Sequence, residues 1–284
     1  MKTIVKNLAF LSFLILANFM ARGQGAVDSV KMKKKVIVTM KDGDELRGHI
    51  HSKTDSIIVL STKNGVINII TSNVKSIYFD TYEGIYRFPN SHDTRYFFGP
   101  TAIPTQKNKG YYQNILVVGN FVNYGITKNI SLAGGFEFLS LIYGDPTWFF
   151  MPKIGFKLKK NVHLAGGAFV VGGQTGGTAS LGYGALTLGT SEHNLTFGGG
   201  YGTSSRDHVN YSAFMLSGTV RVSNNISLLT ENYIIAQKSG ALYVGIFGIR
   251  ILSPKNAFDI GLLTTSQSNS YFPVLPYIQY ARAF

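Results

Sequence analysis

Ser205, Asp207 and His208 bring a hydroxyl, a carboxylate and an imidazole within four residues of one another, the three group types of a nucleophilic triad. A triad also needs its base held against the nucleophile by a third group. A short polar run supplies no such frame, so this segment reads as a solvated loop. His49 and His51 are two residues apart and share a face if they lie on a strand. A zinc site needs three or four protein ligands, and no third lies nearby, so the pair reads as a surface feature. With no cysteine in the chain, disulfides, thiolate catalysis and lipid attachment at cysteine are all excluded. The clusters Gly166-Gly167, Gly172-Gly173, Gly176-Gly177 and Gly198-Gly199-Gly200 lack the strand-to-helix setting of a phosphate loop. They read as close strand packing. Seven ionic side chains then stand out from small and apolar surroundings: Glu137, Lys153, Lys157, Arg221, Glu231, Arg250 and Asp259. Facing a common interior, they would either neutralise one another or line a narrow polar lumen. Four bases against three acids would favour anions mildly. No catalytic residue, metal or cofactor is implied, and the expectation is a protein that is not an enzyme.

Groups so scattered need a repeating frame, and the sequence has one. Asn129, Asn161, Asn194, Asn225 and Asn256 recur at steps of 31 to 33 residues, and an alternating apolar run follows each. Asparagine tolerates the left-handed backbone of a tight turn. A period near thirty residues fits two strands, a tight turn and a looser loop, repeated. The implied fold is all-β: an up-and-down antiparallel barrel of about 12 strands, with 10 as the alternative. Strands are expected near 95–102, 111–126, 130–142, 148–158, 162–173, 179–190, 194–203, 211–222, 226–237, 240–252, 257–265 and 272–284. An even number puts both barrel ends on one side, which favours a first strand at 95–102. Pro100 and Pro104 count against it, because proline removes a ladder donor. The alternative is that this segment folds into the lumen.

Residues 1–23 read as a signal peptide: Lys2 and Lys6, then the short apolar run Leu8 to Ala17, then Ala21-Arg22-Gly23 before a cut. Ten apolar residues are too few to span a bilayer. Residues 24–34 read as a linker, 35–80 as a small five-stranded β-domain containing the Asp42-Gly43 turn signal, and 81–94 as a second linker. The net charge of +13 suits anionic lipid surfaces. An export signal leads away from nucleic acid, so no nucleic-acid partner is expected.

The face test decides between a soluble and a membrane barrel. Ile130, Leu132, Phe136 and Phe138 oppose Ser131, Ala133, Gly135 and Glu137. Trp148, Phe150, Ile154 and Leu158 oppose Lys153, Gly155 and Lys157. Phe214, Leu216, Val220 and Val222 oppose Ser217, Thr219 and Arg221. One face is small or charged and the other bulky and apolar, which suits a lumen inside and lipid outside. Tyr111, Tyr112, Tyr143, Trp148, Phe149, Tyr271 and Phe272 fall near strand ends, as an aromatic girdle requires.

From Arg95-Tyr96-Phe97-Phe98-Gly99-Pro100-Thr101-Ala102 through Tyr277 to Phe284, the chain resembles the outer-membrane β-barrel proteins of Gram-negative bacteria, in particular a largely uncharacterised group of them. Residues 36–60, through Asp42-Gly43, Gly48, Ile50 and Asp55 to Leu60, resemble the Sm-like or SH3-like small barrels. The barrel resemblance implies residence in the cell outer membrane, with the N-terminal domain in the periplasm. It implies contact with outer-membrane lipid and lipopolysaccharide. It also implies an insertion signal for the barrel-insertion machinery in Ile278, Tyr280 and Phe284, from which Arg282 departs. Barrel phospholipases carry a His-x-Ser pair, and none of the six histidines here is followed by serine two places on. The functional expectation is a structural or accessory subunit of an envelope assembly with a periplasmic or outer-membrane protein partner. The alternatives are a narrow pore and, third, a lipid-modifying enzyme or protease.

Overall fold

The computed structural model describes residues 35–79, 86–173, 175, 177–206, 208–238, 240–266 and 274–284. The signal peptide, the first linker, Asp207, Tyr271 and Phe272 lie outside the described residues. The chain divides into two compact units, parted between Arg87 and Phe88.

The first unit is an antiparallel sheet of β1 (Lys35–Met40), β2 (Glu45–Lys53), β3 (Ile57–Thr62), β4 (Gly65–Ile70) and β5 (Val74–Phe79), in the order β4-β3-β2-β1-β5. Alternation puts Val36, Val38, Ile58, Leu60 and Ile69 on one face, where they form its core. The β1–β2 turn uses Gly43 at φ 98°, and the Asp42 carboxylate accepts the Asp44 N–H at 3.0 Å, which is the Asx geometry of a tight turn.

The second unit is a closed, twelve-stranded antiparallel β-barrel. Its strands are β6 (Gly110–Ile115), β7 (Gly119–Gly125), β8 (Ile130–Glu137), β9 (Trp148–Lys159), β10 (Val162–Gly173), β11 (Gly177–Gly189), β12 (His193–Ser204), β13 (Val209–Arg221), β14 (Ile226–Gln237), β15 (Gly240–Leu252), β16 (Asn256–Thr265) and β17 (Val274–Ala283). Pairing of β17 with β6 closes it. Ile130, Leu132, Phe150, Ile154, Phe156, Phe258, Ile260 and Ile278 point outward and stay exposed, while Ser131, Ala133, Lys153, Asp259 and Gln279 are buried on the inner face. An apolar exterior around a polar interior is the arrangement of a transmembrane barrel.

Twelve strands are present, but not the expected twelve. Residues 95–102 are not in the wall, which starts at Gly110. The expected strand at 111–126 is two strands folded about Leu116–Val118, with Ile115 opposite Gly119. The expected strand at 130–142 stops at Glu137, whose carboxylate accepts the N–H groups of Leu139 and Ser140 and caps the short helix α1 (Phe138–Ile142). The repeated asparagines also work differently from expectation. None has positive φ; among the described residues, the non-glycine ones that do are Asn108, Leu116, Val117 and His208. Instead Asn129 Nδ2 donates to the Gly155 carbonyl at 2.6 Å, and Asn225 Nδ2 donates to that of Leu252 at 2.8 Å. Each of these amides staples its own turn to the next hairpin at the same end of the barrel.

Candidate functional site

Residues 88–105 fill the tight-turn end of the lumen as a plug. Its core is a tiny hairpin: Tyr96 N–H donates to Gly99 O at 2.8 Å, Thr101 N–H donates to Thr94 O at 3.0 Å, and Arg95 bridges Pro100. The prolines explain why this segment left the wall. They withhold two donors from a ladder but cost nothing in a turn. Gly99 sits at the tip, where a Cβ would collide with the Tyr233 hydroxyl. Tyr96, Phe97, Ala102 and His92 are completely buried.

The barrel wall holds this plug chiefly through its backbone. Arg250 makes a two-pronged contact with Asp259 (2.7 and 2.9 Å) and donates to the carbonyls of His92 (3.1 Å) and Tyr96 (2.6 Å). Asp259 also accepts from Arg95 Nη1 at 3.2 Å and from Gln279 at 2.8 Å. One Glu231 oxygen takes the Phe98 N–H (2.9 Å); the other takes the Gly99 N–H (2.8 Å) and the Tyr233 hydroxyl (2.7 Å). Lys153 donates to the carbonyls of Thr101 (3.2 Å) and Ile103 (2.9 Å). Arg221 bonds Phe88 O and Glu192, both at 2.8 Å, and its guanidinium lies 4.7 Å from the centre of the Phe88 ring. The Tyr96 hydroxyl reaches Asn194 and Thr196. Buried charges are sustained by pairing and hydrogen bonds: Arg221 pairs with Glu192 and Arg250 with Asp259, while Lys153 and Glu231 are held by hydrogen bonds to the plug backbone.

Two neighbouring plug residues have displaced proton affinities. Burial, reinforced by the charges of Arg95 and Arg250, lowers the His92 imidazole to about 3. Its Nε2 lies 3.1 Å from Lys255 O, so the neutral ring donates there. Burial, reinforced by Glu192, raises Asp93 to about 7.

Beyond the plug, toward the looser loops, the lumen widens into a cavity of about 330 Å³. Phe98, Phe169, Tyr183, Met215, Ile235 and Val244 are among its walls, and Arg95 and Lys153 also line it. Phe98 packs edge-on against Phe121 and Phe169 at 5.8 and 5.5 Å, and Phe149 packs with both of those rings. Gly198 and Gly200 also line the cavity and leave it open on the β12 side.

Of the seven charged candidates, the structure brings Lys153, Arg221, Glu231, Arg250 and Asp259 onto the plug. Glu137 caps α1 at the rim, and Lys157 is exposed near the opposite end. Strand alternation gave the phase of these two, and both sit where their strands run out, away from the plug. Ile278, Tyr280 and Phe284 are exposed on the outer face with Arg282. Sequence reasoning missed Arg95, Tyr96, His92, Glu192 and the inner aromatics. A usable signal was present in Trp148-Phe149-Phe150-Met151 and in Phe169-Val170-Val171. Strands apolar on both faces have both faces covered.

No protein-family profile matches the sequence, and no curated protein sequence matches it. Among solved structures the chain is similar to the NanC porin (9% identity, 62% of this chain and 97% of that one covered, TM-score 0.45). It is similar to the KdgM porin at 6% identity over 62% of this chain and 96% of that one, with TM-score 0.45. It is also similar to a loop L8 deletion mutant of OmpT, an outer membrane protein of Vibrio cholerae, at 12% identity over 89% and 97%, with TM-score 0.34.

Proposed function

We propose that this protein is a non-enzymatic outer-membrane barrel that its own N-terminal segment holds shut, and that it serves an envelope assembly as a structural or accessory subunit. One observation carries the reading. Lys153, Arg221, Glu231 and Arg250 each bind backbone of residues 88–103, so the groups that would attract a passing ion hold the stopper instead. The plug begins at the tight-turn end, which in such barrels faces the periplasm. The proposal puts the preceding β-unit in the periplasm. Its edge strand β4 leaves Val66 and Ile70 exposed, which supports a protein partner there. Its strand order is compatible with the small-barrel resemblance.

The test has two arms. Reconstituted in planar bilayers, the intact protein should show no stepwise current, and mild-detergent pull-down should retain partners that are lost on deletion of residues 35–79. Frequent stepwise currents from unmodified protein, altered by Lys153→Ala or Arg250→Ala, would replace this reading with the narrow pore. A gated version of the pore has one observation in its favour: the plug is held by side-chain contacts, polar and apolar, rather than by membership in the wall.

A further inference from the structure

The cavity above the plug is left unused by a purely structural role. Its volume, about 330 Å³, lies at the small end of ligand pockets. Phe98, Met151, Phe169, Met215, Ile235 and Val244 are among its walls, in a lumen that a porin would keep polar. The charged residues of its described lining are Arg95 and Lys153, and neither is available to a ligand. Lys153 Nζ is taken by the Thr101 and Ile103 carbonyls. Arg95 Nη1 is taken by Asp259 and the Tyr96 carbonyl, and the other guanidinium nitrogens are sealed from the lumen. An ion entering here would shed its water and gain no counter-charge. The cavity therefore selects uncharged molecules.

Tyr183 is the polar group that remains open. It stands on the inner face of β11, opposite Gly167 of β10 and Gly200 of β12. A Cβ at Gly167 would fall 2.6 Å from the Tyr183 hydroxyl oxygen and 2.7 Å from the ring carbon that bears it, and a Cβ at Gly200 would fall 3.2 Å from Tyr183 Cβ. These two glycines, from two of the clusters evident in the sequence, are the seat that lets the ring lie across β10. The Tyr183 hydroxyl has no hydrogen-bond partner among the described residues and is open to the cavity rather than sealed. Nearby hydroxyls are committed, Tyr233 to Glu231 and Tyr211 to the Ser180 carbonyl. Tyr183 thus offers a hydrogen bond, as donor or acceptor, in mostly apolar surroundings.

We infer that the cavity binds a small, uncharged aromatic molecule carrying a hydroxyl or carbonyl oxygen, with its rings among Phe98, Phe169 and Met215 and its oxygen on the Tyr183 hydroxyl. Aromatic rings prefer to pack edge to face, as Phe98 and Phe169 already do at 5.5 Å. Thioether sulfur also contacts aromatic rings favourably. These walls therefore suit a flat aromatic body better than a saturated one, and the hydrogen bond, strengthened by the low local dielectric, orients it.

The chain has no cysteine, so a single introduced thiol reports alone. The test uses the full chain folded in amphipol with Ala213→Cys, on the cavity wall, or with Ile260→Cys, on the outer face, as the control. Naphthol should slow alkylation of the Ala213→Cys thiol by N-ethylmaleimide, saturably, and leave that of Ile260→Cys unchanged. Naphthalene, which lacks the oxygen, should need about three- to tenfold more for the same protection, the worth of one hydrogen bond. Decalol, which keeps the oxygen but not the aromatic rings, should also need more. Adding Tyr183→Phe should remove the advantage of naphthol while leaving protection by naphthalene as it was, a pattern that general loosening of the fold would not give. Any of four results would overturn the inference: an Ala213→Cys thiol that naphthol does not protect, equal protection of Ile260→Cys, decalol matching naphthol, or a naphthol advantage that survives Tyr183→Phe.

Discussion

Asp259 is the residue on which most depends. It is completely buried and pairs with both Arg95 and Arg250, one from the plug and one from the wall. Asp259→Asn keeps the shape but leaves two guanidinium groups without a counter-charge. Removing one partner of a buried ion pair typically costs about 3–5 kcal/mol. Because the wall keeps its own ladder of backbone bonds, the loss should fall on the plug. The expected outcome is protease cleavage within residues 88–105 of the variant while the barrel stays heat-resistant on gels. His92 and Asp93 make a separate prediction about pH. His92 titrates near 3 when docked but at 6.5 when free, so acidification from 6.5 favours release of the plug. Asp93 titrates near 7 when docked and at 3.8 when free, so acidification over that window favours docking. The two oppose each other between about pH 4 and 6.5. The wild-type plug should therefore hold almost evenly across that range. Asp93→Asn should become acid-labile and His92→Asn should dock more tightly as pH falls, both read by protection of the plug from protease.

At the scale of elements, the β6–β7 hairpin is the exception in the wall. Its strands are 6 and 7 residues long, against 12 or 13 for β9 to β15. Six residues extend only about 20 Å along the strand, less once tilted, and the apolar band of such barrels is about 25 Å tall. The turn at Leu116–Val118 therefore stands low on the wall, level with the end of β8: Gly119 faces Glu137, and the Val118 carbonyl accepts the Phe138 N–H. Leu116 and Val117 hold φ of 50° and 71°, a backbone that Asn and Gly fill in most hairpins. A β-branched residue there is strained. Val117→Asn and Val117→Gly, which suit this backbone, should each stabilise the hairpin by up to about 1 kcal/mol. Urea titration of protein folded into liposomes measures both. The same hairpin shows the limit of what the sequence discloses. Alternation exposed the faces of the long strands, since lipid and lumen impose opposite demands on neighbouring residues. The split at Leu116 was hidden, because Leu116, Val117 and Val118 include none of the usual turn residues. Arg95 and Glu231 were hidden differently: their roles exist only when segments 132 residues or more apart in the chain meet inside the barrel.

For the whole molecule, the decisive property is that the lumen is shut by a segment that is not part of its wall. With Glu137 and Lys157 at the rims, the buried inward charges on the wall among the described residues are Lys153, Arg221 and Arg250 against Glu231 and Asp259, and Glu192 in the turn before β12 adds a third acid. All of them become available to water if the plug is withdrawn. A barrel lacking residues 88–105 should therefore conduct, but with the bases and acids nearly balanced it should discriminate little between chloride and potassium. Reversal potentials under a salt gradient should lie close to zero. Restoring the missing segment as a synthetic peptide should lower the conductance, and a Glu231→Ala barrel should respond less, since that carboxylate grips the Phe98 and Gly99 N–H groups at the tip of the hairpin. A strongly anion-selective current from the shortened barrel would mean that Lys157 or the exposed lysines of the rim govern the passage. Silence from a correctly folded shortened barrel would mean that the inner aromatics close it unaided, with Phe149 on β9 already packed against both Phe121 on β7 and Phe169 on β10.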